Sequence, residues 1–296
     1  MDQLQIEAGD GLALTACKWE TAKLPKAVVQ VAHGAAEHLG RYDRLARDLN
    51  RAGYAVLGSD HRGHGVNCLH GPGDFGPRGF AGVVDDLRAV AEAGRARHPG
   101  LPLVLFGHSM GSFAAQAFFA HHADLIDGLV LSGTAAIDEL IASGDLTSGF
   151  EACNAAFEPA RTPFDWLSRD AAEVDAYMAD PLCGVDLKLT SLASMPATVA
   201  GVRSAERLST AVARQVPVYV ISGADDPIVG PDQRNARAVV DSYRAAGLRD
   251  IEHKIYVGGR HEMINETNRE EVTRDLVRWL DARFSAAASS TPAEFR

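Results

Sequence analysis

The sequence has 296 residues, of which 46% are hydrophobic and 23% charged, and its formal net charge at pH 7 is −10. This composition is typical of a folded globular protein, and the length fits one large α/β domain or one domain with an insertion. The acidic balance argues against a nucleic-acid partner, because that affinity depends on clustered Lys and Arg. The sequence has neither a leader-like start nor the roughly 18 uninterrupted apolar residues of a membrane span, so we expect a soluble, cytoplasmic protein.

Eight short runs of apolar and β-branched residues predict strands at 4–8, 12–19, 27–33, 54–60, 102–107, 128–133, 216–223 and 251–257. Gly9-Asp10-Gly11 joins the first two runs and predicts a tight turn, so we expect an antiparallel hairpin at one edge of the sheet. Helical patterns alternate with the later strands, at 40–52, 80–97, 111–123, 232–246 and 269–284. This alternation predicts a mostly parallel sheet covered by helices on both faces.

The alternation stops for about eighty residues between Gly133 and Val216, far longer than an ordinary loop. The segment carries helix-like pieces and several large apolar side chains, among them Phe164, Trp166 and Leu167. We expect a helical cap at 135–211, lying over the carboxyl end of the sheet where open α/β sheets bind ligands. The rest would be a core of 1–134 and 212–286, with a short, polar and flexible tail at 287–296.

The stretch LVLFGHSMG, from Leu103 to Gly111, changes abruptly from a buried strand to Gly-His-Ser-Met-Gly. Gly-x-Ser-x-Gly between a strand and a helix is typical of a strained turn that lifts a serine hydroxyl above the sheet. The N-terminus of the following helix would favour negative charge developing near Ser109. An ordinary Gly/Ser helix cap explains the five residues about equally well, so the presence of catalytic partners decides between the two interpretations.

A serine nucleophile needs an imidazole to accept its proton and a carboxylate to orient that imidazole. In this type of fold the chain order is serine, acid, histidine. Asp225 and Asp226 follow one predicted strand, and His261, alone among the eleven histidines, follows the last strand. We favour Asp226, because Pro227 biases it towards an extended conformation, and Asp225 remains the alternative.

An acyl-transfer site also needs two N–H donors for the oxyanion of its tetrahedral intermediate. The expected donors are the backbone N–H of Met110, which follows the serine, and that of Ala35 in the loop after the third strand. A plain strand-ending turn is the other explanation for His33-Gly34.

Metal and cofactor binding are not indicated. The four cysteines form no CxxC pair, and His61-x-x-His64 lies in a Gly-rich loop without the acid of an H-E-x-x-H motif. We expect these two histidines to brace the backbone. The sequence also lacks a phosphate-cradling G-x-x-x-x-G-K and a dinucleotide-binding fingerprint, so we expect no cofactor.

Six stretches carry a family resemblance: HGAAEHLGRY at 33–42, SDHRGHG at 59–65, GHSMGS at 107–112, EVDAYMADPL at 173–182, GADDPIV at 223–229 and Y-x-G-x-x-H at 256–261. Together they resemble the monoglyceride lipase and lysophospholipase branch of the α/β-hydrolases. The resemblance implies an α/β-hydrolase fold with a cap, and a carboxylester hydrolase acting on single-chain lipid esters. It also implies Ser109, Asp226 and His261 as the triad, with Ala35 and Met110 as oxyanion donors.

The resemblance further implies contacts to the polar head of the substrate. The matching residues are Glu37, Arg41, His108, Glu173 and Tyr177. A structural ion-pair cluster explains Glu37, His38 and Arg41 about equally well. Asn67 replaces a small serine common in the family, and the Gly-rich insertion at 70–80 resembles the lysophospholipase-like side of the group, so a glycerol head group is less well supported than an ester in general.

Two other functions remain open. Other small esters, or carbon–carbon bonds, could be hydrolysed on the same triad, because the fold and triad do not fix the substrate. A non-catalytic small-molecule binding protein is possible on this fold, but such proteins often lose a triad member, and none is lost here. An amphipathic substrate would also be consistent with a transient contact between the cap and a membrane surface; the sequence predicts no oligomeric state.

Overall fold

A computed structural model describes residues 1–138, 140 and 149–285, so the tail predicted at 287–296 lies outside the described residues. The eight strands are β1 Asp2–Glu7, β2 Ala13–Trp19, β3 Val28–Ala32, β4 Ala55–Ser59, β5 Leu103–His108, β6 Gly128–Ser132, β7 Val218–Gly223 and β8 Ile251–Tyr256. They form one sheet in the order β1-β2-β4-β3-β5-β6-β7-β8. β2 pairs antiparallel with β1 and β4, and the other pairs are parallel. The predicted edge hairpin and mostly parallel sheet are confirmed.

The described α-helices are α1 Asp43–Arg51, α2 Gly79–Arg97, α3 Met110–His122, α4 Gly149–Asn154, α5 Ala171–Ala179, α6 Leu189–Val199, α7 Ser209–Arg214, α8 Arg234–Ala246 and α9 Arg269–Phe284. α2, α3 and α8 pack on one face of the sheet, and α1 and α9 pack on the other. None of the helices in the described ranges is long and apolar enough to cross a bilayer.

Successive side chains of the central strands serve the two faces of the sheet in turn. Leu105 and Leu131 join the core beneath α2 and α3, whereas Phe106 and Val130 join the core beneath α1 and α9. Because both faces are covered, every residue of these strands is buried, and all but His108 at the end of β5 are apolar or small, which explains the continuous apolar runs in the sequence.

The insertion between β6 and β7 has two parts that pack differently. The first part, with α5 and a short 3₁₀ turn at Asp165–Leu167, lies next to the loop after β8. In the second part, Met195 and Val199 of α6 join the core beneath α2 and α3. The first part therefore lies at the carboxyl end of the sheet near β8.

The Gly-rich insertion at 70–80 holds α6 in place. The backbone N–H of Phe75 donates to Ser191 Oγ at 2.9 Å, and that of Phe80 donates to Ser194 Oγ at 2.8 Å. Lys188 N–H also donates to the carbonyl of Gly73 at 2.9 Å. The insertion that distinguishes this chain from its family pattern thus connects α2 to the second part of the cap.

Candidate active site

Ser109 lies in the turn between β5 and α3 with φ 50° and ψ −121°, a conformation that L-residues rarely adopt. The flanking glycines are required by close backbone contacts. A Cβ on Gly107 would lie 2.6 Å from the carbonyl oxygen of Gly111, and a Cβ on Gly111 would overlap the carbonyl oxygens of Ala32 and His33. The turn is therefore the strained strand-to-helix elbow that the Gly-x-Ser-x-Gly pattern predicts.

His261 and Asp226 form a buried pair beside this turn. The Nδ1 atom of His261 lies 2.9 Å from Asp226 Oδ2, and the other carboxylate oxygen accepts from Ile228 N–H at 2.9 Å. Burial has the largest single effect and lowers the pKa of His261, but the charge and hydrogen bond of Asp226, with the charges of Glu262 and Glu37, together outweigh it, so the pKa is raised. His261 Nε2 is buried and hydrogen-bonds to none of the described residues. Asp225, the alternative acid, is exposed.

Ser109 and His261 both line a cavity of about 20 Å³, which has room for about one water molecule. Its lining residues are Gly34, Ala35, Glu37, His108, Ser109, Phe164, Trp166, Leu167, Tyr177, His261 and Glu262. Three of the five residues expected to hold the substrate head, Glu37, His108 and Tyr177, are in this lining, and Arg41 and Glu173 are not. Burial, followed by the charge of His261, lowers the pKa of His108 to about 4, so its imidazole is neutral near pH 7.

Ala35 lies in a loop whose neighbouring residues are both tethered. Gly34 N–H donates to Glu37 Oε1 at 2.5 Å, and Ala36 N–H donates to His64 Nε2 at 3.1 Å. The N–H of Ala35 itself bonds to none of the described residues. The tethers on both sides fix the shape of the loop, and the N–H of Ala35 remains uncommitted beside the cavity. The N–H of Met110 begins α3 directly after Ser109.

The buried histidines near this loop brace its backbone. His33 Nε2 accepts from His61 N–H at 2.8 Å, and the Nε2 of His61 lies 2.9 Å from the carbonyl of His33. Burial lowers the pKa of all three of His33, His61 and His64, so they are neutral and can accept these bonds. The structure thus gives His61 and His64 the bracing role that the sequence predicts.

We call residues 33–37, which carry the expected oxyanion donor Ala35, the oxyanion loop. Arg41 joins it to the loop that carries His261. Its guanidinium makes two bonds to Glu262, at 2.5 and 2.7 Å, and one to Glu37 at 2.7 Å. Burial has the largest single effect and disfavours the ionised Glu262, but the charge and hydrogen bonds of Arg41, with smaller contributions from His108 and Asn265, together outweigh it and lower the Glu262 pKa to about 2. Glu37 and Arg41 therefore form the ion-pair cluster that was the alternative to head-group contact, while Glu37 also reaches the cavity.

The other two expected head-group residues come from α5. The hydroxyl of Tyr177 donates to the carbonyl of Ala36 at 2.9 Å, and its ring lies over the Arg41 guanidinium at 4.9 Å. Glu173 pairs instead with Arg44 at 2.5 Å. Tyr177 therefore fastens the cap to the oxyanion loop, and Glu173 fastens α5 to α1.

Sequence reasoning missed the way the cap reaches His261. The ring of Trp166 lies 4.8 Å from that of His261, and the backbone N–H groups of His261 and Glu262 donate to the carbonyls of Trp166 and Leu167 at 3.3 and 2.8 Å. The apolar cap residues were visible in the sequence, but this backbone pairing was not. Glu262 was missed although it directly follows His261.

A serine in a strained elbow, next to a buried His–Asp pair and beneath an inserted cap, defines a serine hydrolase with the α/β-hydrolase fold. The chain belongs to the family Hydrolase_4, described as serine aminopeptidase, S33, which matches residues 23–268. It is 30% identical to a monoacylglycerol lipase of Mycolicibacterium smegmatis over 88% of this chain and 90% of that protein. It is also 30% identical to the monoglyceride lipase of Homo sapiens, over 96% and 91% of the two chains.

Solved structures agree with this assignment. A thermostable carboxyl esterase from Bacillus coagulans, solved in complex with glycerol, has a TM-score of 0.84 and 27% identity over 96% of this chain and 98% of its own. The predicted family and fold are confirmed, and the protein is a serine ester hydrolase.

Proposed function

We propose that this protein hydrolyses single-chain lipid esters, of the monoacylglycerol or lysophospholipid type, through an acyl-enzyme on Ser109. The observation that carries the proposal is the shared cavity in which Ser109 and the Asp226-paired His261 meet apolar residues of the cap. Relatives named monoacylglycerol and monoglyceride lipase, each 30% identical, support the substrate class.

In the proposed reaction, Ser109 Oγ attacks the ester carbonyl while Nε2 of His261 accepts the hydroxyl proton. Asp226 accepts the hydrogen bond from the Nδ1–H of His261 and stabilises the imidazolium. The N–H groups of Ala35 and Met110 bind the oxyanion. Collapse of the intermediate passes the proton from His261 to the leaving alcohol. Water, deprotonated by His261, then attacks the acyl carbonyl, and His261 returns this proton to Ser109 Oγ as the ester bond breaks, which releases the fatty acid and free Ser109.

The lining of the cavity divides by chemistry. Phe164, Trp166 and Leu167 form an apolar side, and Glu37, His108 and Glu262 form a polar side. We assign the acyl chain to the first and the head group to the second. Since about 20 Å³ cannot hold an acyl chain, substrate entry requires the segment around Trp166 to move away from His261.

We also propose that the chain is divided into a core of 1–134 and 212–286 and a cap of 135–211.

Four large apolar side chains of the cap are exposed to solvent. Met178, Leu182, Leu189 and Leu192 expose between 39% and 82% of their surface. We propose that these side chains make a transient contact with a membrane or micelle that delivers the substrate. The four free cysteines support a reducing compartment, and we therefore propose a cytoplasmic location.

A hydrolysis panel tests the substrate class. Purified protein and Ser109→Ala are assayed against monoacylglycerols, lysophospholipids and simple short esters across a series of chain lengths. We expect kcat/KM to rise with acyl length among monoacyl lipids, and Ser109→Ala to show no turnover. A strong preference for short simple esters would contradict the lipid assignment while leaving the hydrolase intact.

Covalent labelling tests the nucleophile independently of the substrate. We expect an organophosphonate to label the protein once per chain, at Ser109, and Ser109→Ala to remain unlabelled. A folded wild-type protein that does not react would favour a non-catalytic binding protein instead.

A further inference from the structure

A second group of reactive side chains lies beside the active site, outside its cavity. His38 follows the oxyanion loop, and Asp180 and Cys183 lie in the turn after α5. His38 Nε2 is 2.9 Å from Asp180 Oδ2, and the ligand-type atoms of all three residues lie within 4.8 Å of one another. The His38 and Asp180 side chains are 16% and 32% exposed, so a dissolved ion can reach them.

We propose that His38, Asp180 and Cys183 bind a divalent transition-metal cation of the Zn²⁺ type, and that the bound cation inhibits the enzyme by fixing the cap to the oxyanion loop. The cation is a regulatory ligand in this proposal and takes no part in the hydrolysis. The site joins the core to the cap, because His38 belongs to the core and Asp180 and Cys183 belong to the cap.

The donor set selects the class of cation. One imidazole nitrogen, one carboxylate oxygen and one thiolate sulfur are the ligands that Zn²⁺ and its neighbours prefer, whereas Ca²⁺ and Mg²⁺ require oxygen. Zn²⁺ bonds of about 2.0–2.3 Å in a tetrahedron place ligand atoms about 3.3–3.8 Å apart. The present separations, from 2.9 to at most 4.8 Å, need side-chain shifts of about an ångström.

The protons can be accounted for. Gly40 N–H donates to His38 Nδ1 at 3.2 Å, so the imidazole proton is on Nε2 and points to Asp180. When a cation binds Nε2, this proton moves to Nδ1, which then no longer accepts the hydrogen bond from Gly40 N–H. The exposed Gly40 N–H donates to water instead. Burial raises the pKa of the Cys183 thiol to about 12, so the cation must displace its proton into solvent.

The resulting charge suits a half-buried position. The Asp180 carboxylate and the Cys183 thiolate together neutralise a divalent cation. Arg41 lies near Cys183, but its positive charge is already paired with both Glu37 and Glu262. Without a cation, the protonated Cys183 is a poor nucleophile, which argues against a reactive-cysteine role for this cluster.

Inhibition follows from the contacts around the site. Gly184 N–H and the Tyr177 hydroxyl both donate to the carbonyl of Ala36, at 2.8 and 2.9 Å, so this part of the cap already rests on the oxyanion loop. Metal bonds to His38 and Cys183 would reinforce that contact. This step rests on the proposed function, in which substrate entry requires the cap to move.

Direct binding is tested with Co²⁺, whose thiolate complexes absorb strongly, on the full chain without substrate. We expect a charge-transfer band and tetrahedral d–d bands in the wild type, and none of the charge-transfer band in Cys183→Ser. Cys68→Ser, which changes another half-buried thiol, should keep both bands. Absence of the band in the wild type, or its persistence in Cys183→Ser, would overturn the proposal.

Asp180→Asn gives a second test that is independent of the cysteine. The amide oxygen can still accept from Leu182 N–H, as Asp180 Oδ1 does at 2.9 Å, so the turn is retained. We expect Co²⁺ affinity to fall at least about tenfold, since even partners beyond the ligands cost about 10–100-fold. Unchanged affinity in this variant would remove Asp180 from the site and contradict the proposed ligand set.

Inhibition is measured as the Zn²⁺ concentration that halves hydrolysis of the best ester, with reversal by a chelator. We expect this concentration to rise at least about tenfold in Cys183→Ser and to stay unchanged in Cys68→Ser. Equal inhibition of wild type and Cys183→Ser would place the inhibitory cation elsewhere and overturn the regulatory role. If the protein cleaves no ester, the Co²⁺ spectra still decide whether the site exists.

Discussion

The imidazole of His261 and the carboxylate of Asp226 are joined by a bond of 2.9 Å between Nδ1 and Oδ2, and both side chains are buried. The hydrogen bond fixes the ring so that Nε2 is the nitrogen left without a hydrogen-bond partner in the described part of the chain. Asp225 is adjacent in sequence but exposed. The structure therefore separates two neighbouring carboxylates that the sequence leaves as alternatives, and the two residues form a matched pair for mutation.

Asp226→Asn should lower kcat/KM by about 10³–10⁴-fold, because an amide neither fixes the imidazole tautomer nor stabilises the imidazolium. Asp225→Asn should leave kcat/KM close to the wild-type value. Both are measured with the best monoacyl ester, with circular dichroism as a control for folding. A larger loss in Asp225→Asn than in Asp226→Asn would mean that the acid has been assigned to the wrong residue.

The pH dependence of acylation should reflect the raised pKa of His261. The base must be neutral to accept the Ser109 proton, so activity is lost as the pH falls through this pKa. Because Asp226 raises the pKa above its ordinary value of 6.5, the acidic limb should have its midpoint above 6.5. Single-turnover acylation rates across pH measure this limb. The residual activity of Asp226→Asn should shift to lower pH, and a limb that does not move would contradict the role of the carboxylate.

Backbone strain at Ser109 should lower the free energy of unfolding by a measurable amount. At φ 50° and ψ −121° a Cβ is unfavourable, and glycine is the residue that tolerates this region. Ser109→Gly should therefore be more stable than Ser109→Ala by about 1 kcal/mol, although neither can hydrolyse esters. Urea unfolding of the two variants gives the difference. Equal free energies of unfolding would show that the turn is not strained by its side chain.

The elbow and its partners could be predicted from sequence because each depends on local features. Gly107 and Gly111 mark a sharp turn whatever the rest of the chain does, and the strand before them is a continuous apolar run. Parallel strands bring their carboxyl ends to one edge of the sheet, so residues just past β5, β7 and β8 meet there. The chain order and the positions of the strand ends were therefore enough to predict that Ser109, Asp226 and His261 lie close together.

The cap contacts could not be predicted in the same way. Trp166 reaches His261 through backbone bonds between two loops about 95 residues apart, and no periodicity encodes that pairing. Arg41 likewise lies between Glu37, four residues before it, and Glu262, 221 residues later. The sequence offered an ion-pair cluster at Glu37, His38 and Arg41 as one of two interpretations, whereas the second acid becomes apparent only when the loops are folded together.

The Arg41–Glu262 pair should make stability depend on pH in the acidic range. The folded-state pKa of Glu262 is lowered to about 2 from 4.5, so its stabilising effect is fully present above about 4.5 and is lost as the pH falls towards 2. Glu262→Gln should lower the free energy of unfolding by about 2 kcal/mol at pH 7. Breaking a buried ion pair typically costs about 3–5 kcal/mol of stability. We expect a smaller loss here because Arg41 keeps its ion pair with Glu37.

The difference between wild type and Glu262→Gln should shrink as the pH is lowered, and urea unfolding at several pH values measures it. Glu270→Gln, which changes an exposed carboxylate on α9, is the control and should differ little from wild type at any pH. Since Arg41 also holds the loop of Ala35 through Glu37, and Glu262 lines the proposed head-group side of the cavity, Glu262→Gln should lower kcat/KM as well. A destabilisation that is constant with pH would mean that the packing of Glu262, and not its charge, holds the two loops together.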